Sequence, residues 1–137
     1  MKPILQDFQL LDLDRCIEIR VKNWKEINNT PEKIDWAKNR FLSTLPQRTY
    51  FVAKIWEEIV GLGGYGKNQL YSFFIDPEHH GQWIWKLLMQ RILSEIINAW
   101  YKDAVVSASE YGKSFYEHFW FNQEEKEWVK YFLRKIF

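Results

Sequence analysis

Few side chains in this sequence have the type and spacing to carry chemistry. The adjacent pair His79-His80 suggests a metal, but neighbouring side chains point in different directions and no third ligand follows at a supporting spacing. No metal site is expected, and exposure at the start of a helix accounts for both imidazoles. His118 reads as a surface residue. Cys16 is the single cysteine, which excludes an internal disulfide or a paired-thiol redox motif and suits a buried thiol of a first helix. Glu57, Glu58 and Glu110 are the carboxylates among which a general base would be sought; each reads as a surface charge, and none is assigned. Tyr116 beside Phe115 is, on its own, a core aromatic. Phe41, Tyr65 and Tyr71 fit either a substrate cleft or the core.

The elements that would position these groups follow from periodicity. The 137 residues suit one domain, 1–137, and 47% hydrophobic with 18% aromatic content demands a packed core. A net charge of +1 gives no reason to expect nucleic acid or an acidic lipid surface. The first ten residues lack an apolar signal region and no run is long enough to span a bilayer, so a cytoplasmic setting with no membrane partner is expected. Lys2 to Phe8 suits an edge strand, and Leu13, Ile17, Val21, Trp24 and Ile27 recur at helical spacing. Asn29 and Thr30 before Pro31 signal the start of a second helix running past Ile34 to about Leu45. Three strands follow, around Tyr50 to Ile55, Ile59 to Leu62 and Leu70 to Ile75. Ile84, Leu87, Leu88, Ile92, Leu93, Ile96 and Ile97 then mark one face of a long helix. Ala104 to Ala108 reads as a buried strand, Phe115 to Phe119 as a brief helix, and Val129, Tyr131 and Leu133 as a final strand free to pair at an edge with a second copy. The charged run Glu124 to Glu127 reads as a solvated loop. The expected order is β-αα-βββ-α-β-α-β, an α/β (α+β) fold with a mixed, mostly antiparallel sheet flanked by helices.

That order and the wording of three segments resemble the GNAT-type N-acetyltransferases. Segment 71–88, with Phe73, Phe74, Ile75, Asp76, Pro77 and then His80-Gly81-Gln82-Trp83-Ile84-Trp85, is similar to the family's fourth strand running into its pyrophosphate loop and long helix. Segment 109–121, containing Phe115, Tyr116 and Phe121, is similar to the family's aromatic helix. Ile55 to Gly61 is similar to the hairpin joining its second and third strands.

The departures share one residue type. The family's loop reads Gln or Arg, two residues, Gly, one residue, Gly or Ala; here His80 takes the first position and Trp83 and Trp85 the glycine positions. Trp56 and Trp120 stand where Gly is usual, and Trp100 falls just past the long helix, where a left-handed residue is expected. The composition is inverted to match: 8 Trp against 6 Gly, when average usage predicts roughly ten glycines. Moving five residues between the counts would leave 11 Gly and 3 Trp. The expectation is that these five are glycines of the native protein, encoded by UGA codons that some bacterial lineages read as Gly. Trp24 suits a helix core, whereas Trp36 and Trp128 stay open.

The resemblance implies acetyl transfer from acetyl-CoA to a primary amine of a small molecule or peptide, by direct attack, in a monomer or homodimer. It implies a coenzyme site formed by Phe74, Ile75, Asp76, His80, Gly81, Gln82, Trp83, Ile84, Trp85, Lys86 and Ser109, with the pantetheine arm between the fourth and fifth strands. A backbone N–H near Phe74 would stabilise the oxyanion, and Tyr116 would give a proton to the leaving thiolate. The alternative is a non-catalytic module of the same fold that binds an acyl-CoA or a protein.

Overall fold

A computed structural model describes residues 2–23, 30–79, 83–127 and 130–137, apart from the side chains of 110 and 111. Several expectations fall outside that set: those for His80, Gly81, Gln82, Trp24, Ile27, Asn29, Trp128, Val129 and the Glu110 side chain.

Among the described residues, seven strands form one sheet in the order β1-β2-β3-β4-β5-β7-β6. They are β1 (Ile4–Asp7), β2 (Thr49–Ile55), β3 (Glu58–Gly66), β4 (Gln69–Ile75), β5 (Asp103–Ser109), β6 (Asn122–Glu127) and β7 (Lys130–Ile136). Every neighbouring pair is antiparallel except β4 and β5. Helices α1 (Leu13–Lys22) and α2 (Pro31–Thr44) cover one face, with Cys16, Ile17, Ile19 and Phe41 packed on Tyr50, Val52, Ile59 and Leu62. Helices α3 (Ile84–Asn98) and α4 (Glu110–His118) cover the other, over Phe51, Val60, Leu70, Phe73 and Ile75. No helix among the described residues is long and apolar enough to cross a membrane.

Local chemistry sets the boundaries. Thr30 has extended backbone and its hydroxyl accepts from the Lys33 N–H at 3.3 Å, while Pro31, with no N–H to lose, opens α2. On α3, Ile84, Leu88, Met89, Ile92 and Ile96 are fully buried along one helical face, each contributing about 1.5–3 kcal/mol by removal from water.

Three features differ from expectation. The run Glu124 to Glu127 is part of β6, every residue of which is exposed. Backbone pairing with β7, not burial, makes it a strand, so its side chains carry no alternation to read. For the same reason β7 is an interior strand, flanked by β5 and β6, and not an edge. Phe41 is 2% exposed, stacked near Tyr50 and Phe8, so it belongs to the core and not to a cleft.

Gly64 sits where β3 crosses the Tyr50 ring. A Cβ there would collide with that ring and approach the Thr49 carbonyl to 2.9 Å. Gly64→Ala should therefore cost roughly 1–3 kcal/mol by overpacking, measured as a lower urea midpoint with an unchanged m-value.

Candidate active site

The site begins with a register shift. Leu62 pairs with Phe74 and Gly64 with Tyr71, so two residues of β4, Ser72 and Phe73, oppose one of β3. That is a bulge, and Ser72 takes the left-handed backbone it requires, at φ 58°. Past the bulge Phe73 and Ile75 turn toward α3, while Phe74 turns toward α1 and α2. The parallel pairing of β4 with β5 is limited to Gln69–Val105 and Leu70–Val106. Beyond Leu70 the two strands diverge.

The divergence opens a cleft of about 490 Å³, within the range that holds small-molecule ligands. Ser72, Phe73 and Phe74 line it from β4, Ser107, Ala108 and Ser109 from β5, Trp85 from α3, Gly112, Phe115 and Tyr116 from α4, and Asn23 from the end of α1. Trp85 stacks on Phe73 at 5.7 Å and lies 4.2 Å from the Phe115 ring. Tyr116 meets Phe73 and Phe121 edge-on at 6.2 and 5.8 Å. Burial alone drives its phenol pKa upward, so it remains protonated throughout the physiological range. Ser109 caps α4, accepting from the Gly112 N–H at 3.3 Å.

Asp76 serves the scaffold of this cleft. It is 1% exposed and accepts from the Arg15 guanidinium at 2.6 Å and from the Glu78 N–H at 3.1 Å. Its own N–H donates to the Val60 carbonyl at 2.8 Å. Arg15 also donates to the Ile59 carbonyl at 3.0 Å and pairs with Glu18 and Glu58. Asn23 donates to the carbonyls of Ile19 and Ile75, at 2.9 and 2.8 Å, tying the end of α1 to the end of β4. Arg15 and Asn23 were not anticipated from sequence, because an arginine in a helix and a polar residue at a helix end carry no signal of what they reach 44, 52 or 61 residues away.

The anticipated positions divide accordingly. Phe74, Trp85, Ser109 and Tyr116 meet in the cleft. Ile75 and Ile84 are fully buried core residues beside it. Trp83 caps the start of α3 with no side-chain hydrogen bond, 72% exposed, with the Lys86 ammonium 5.0 Å from its ring. Glu57 and Glu58 are exposed, as expected. His79 departs from the exposed position expected: it is half-buried in the Pro77–His79 turn, and its Nδ1 makes no hydrogen bond among the described residues. Tyr65 stacks on Phe51, and Tyr71 lies under the Arg48 guanidinium, so neither lines the cleft. Cys16 is buried and its thiol is pushed up to about 12, first by desolvation and then by Asp12.

The acetyltransferase (GNAT) domain family matches residues 18–135. The chain belongs to that family. No curated protein matches it by sequence. Among solved structures it is similar to the PaiA N-acetyltransferase of Thermoplasma acidophilum in complex with coenzyme A, at 17% identity and TM-score 0.85 with both chains covered completely. A Pyrococcus horikoshii protein superposes at TM-score 0.88 with 19% identity over 99% of each chain. An N-acetyltransferase of Staphylococcus aureus gives 0.76 and 16%, again over 99% of each. The mixed sheet with helices on both faces is the GNAT acyltransferase fold, and acetyl transfer is the activity of the family to which it belongs.

Two predictions follow from the scaffold. Burial raises the Asp76 pKa, but the Glu78 N–H, the Arg15 hydrogen bond and the charges of Lys22 and Arg15 outweigh it, leaving the carboxyl below its usual 3.8. A depressed carboxyl stabilises the fold above its unfolded value and ceases to as pH falls through the folded value. Asp76→Asn should therefore lose about 3 kcal/mol at pH 7, with the gap to the parent closing only below about pH 4, read from urea titrations across pH. Cys16 should resist aromatic disulfide reagents in the folded protein and react at once in denaturant.

Proposed function

We propose that this protein is an acetyl-CoA-dependent N-acetyltransferase, acting by direct attack on a primary amine of a small molecule or peptide. The observation that carries this is the cleft opened where β4 and β5 diverge at the Ser72 bulge, bounded by the N-terminus of α3 and by Tyr116. The pantetheine arm fits between the two strand ends, beside Phe74, Ile75 and Asp76. The first turn of α3 has no acidic residue and no side-chain cap, so its N–H groups and partial positive charge suit a pyrophosphate. The segment His80, Gly81, Gln82, Trp83, Ile84, Trp85 and Lys86 would cradle it.

In the reaction the neutral amine nitrogen bonds to the thioester carbonyl carbon, and a backbone N–H near Phe74 receives the developing oxyanion. Collapse breaks the carbon–sulfur bond, water takes the ammonium proton, and the thiolate leaves toward Tyr116. The Tyr116 phenol is by nature a weaker acid than a thiol of pKa roughly 8.5, and burial makes it weaker still. Its part is therefore to hold the thiolate by a hydrogen bond, with the final proton free to come from water. Tyr116→Phe should lower kcat about ten- to a hundredfold, the worth of a hydrogen bond to a charged group, with KM for acetyl-CoA little changed. Unchanged kcat would remove Tyr116 from the mechanism.

One observation favours a second reading, a non-catalytic module: the Trp85 ring lies within the cleft, wedged between Phe73 and Phe115. Turnover separates the two: an amine acceptor should release free coenzyme A thiol from acetyl-CoA with a catalyst, and a module that only binds should release none.

A further inference from the structure

We infer that the functional polypeptide carries glycine at positions 56, 83, 85, 100 and 120, and that glycine at 85 is what admits the coenzyme arm to the cleft. Positions 56, 100 and 120 are assigned from backbone geometry and exposure, whereas 83 and 85 rest on the proposed function.

Five described residues other than glycine have positive φ, and three of them are Trp56, Trp100 and Trp120, at 57°, 70° and 71°. A residue type that makes up 8 of 137 positions has no chemical affinity for that region. Any side chain with a Cβ is strained there, and a bulky one is an outlier.

Each of the three occupies a turn that glycine normally fills. Trp100 follows α3, donating its N–H to the Ile97 carbonyl at 3.0 Å while Tyr101 donates to Ile96 at 3.4 Å. Trp120 follows α4 in the same way, its N–H donating to Glu117 at 3.0 Å and that of Phe121 to Tyr116 at 3.2 Å. Both are Schellman motifs with tryptophan at the left-handed position. Trp56 is the first residue of the two-residue loop between Ile55 and Glu58, where it alone has positive φ, the pattern that places glycine first in a hairpin turn.

Burial does not hold these side chains in place either. Trp56, Trp100 and Trp120 are 72%, 91% and 79% exposed, whereas tryptophan is ordinarily well buried. Trp36 provides the contrast: it lies inside α2 without positive φ, and Arg40 packs over its ring. Nothing at 36 asks for glycine.

Positions 83 and 85 are argued from space. Trp83 stands at the uncapped start of α3, 72% exposed, a bulky side chain at the position next to the N–H groups that an anion would approach. Trp85 fills part of the divergence between β4 and β5. Glycine at both uncovers the helix start and clears the wall facing Phe115.

Peptide mapping of the protein from its native host should find glycine at all five positions; tryptophan there overturns the inference. In recombinant protein, Trp56→Gly, Trp100→Gly and Trp120→Gly should each raise the unfolding midpoint by about 2–5 °C through relief of strain. Trp36→Gly should lower it. A fall at all three turn positions would overturn their assignment. Adding Trp83→Gly and Trp85→Gly should tighten acetyl-CoA binding at least tenfold by calorimetry. Acetyl-CoA binding that is measurable but unchanged would refute the assignment at 83 and 85 alone, and binding absent with and without the two substitutions would refute the coenzyme reading of the cleft; raised midpoints leave glycine at 56, 100 and 120 standing in either case.

Discussion

The left-handed backbone of Ser72 is the constraint on which the remainder of the site depends. Without the extra residue it accommodates, Leu70, Ser72 and Phe74 would share one face of β4. With it, Leu70, Phe73 and Ile75 share the face toward α3, and Phe74 is released to the opposite face. A bulge increases local twist, and the pairing of β4 with β5 stops just before this one, after two residue pairs. The face each residue of β4 presents thus follows from a single extra residue, and the cleft lies beside it.

A divergence of this kind removes strand pairing from one side of β4, and the fold replaces it from the other direction. Asn23 holds the Ile75 carbonyl, Arg15 holds the Asp76 carboxylate and the Ile59 carbonyl, and the Asp76 N–H is bonded to Val60. Helix α1 therefore acts as the support for the strand end. The polar groups involved are buried or half-buried with their partners satisfied, which is the condition under which such groups rigidify a structure instead of weakening it.

What could be read from sequence was what packing dictates locally. The apolar stripe of α3, the β-branched and aromatic runs of β2 to β4 and the Thr30-Pro31 start of α2 are each specified by neighbours within a few residues. Glycine-like positions 56, 100 and 120 were legible because a turn or helix end demands a conformation wherever it occurs. The bulge at Ser72 was not legible, since serine is ordinary in a strand and the register shift is defined by Gly63 on the adjacent strand. Nor was β6: its six polar and charged residues look solvated because they are, and only the hydrogen bonds to β7 make them a strand. Asn23 and Arg15 belong to the same class, residues whose role is set by a partner distant in sequence.

The placement of β6 has a consequence for how the molecule meets others of its kind. The outermost strand on that side carries Glu124, Glu125, Lys126 and Glu127, and on the far side the sheet ends in β1, only four residues long. Charged or very short terminal strands are poor templates for another strand to join. Lateral growth of the sheet is thus discouraged at both ends, which leaves an unpaired backbone guarded by the very residues that conceal it as a strand.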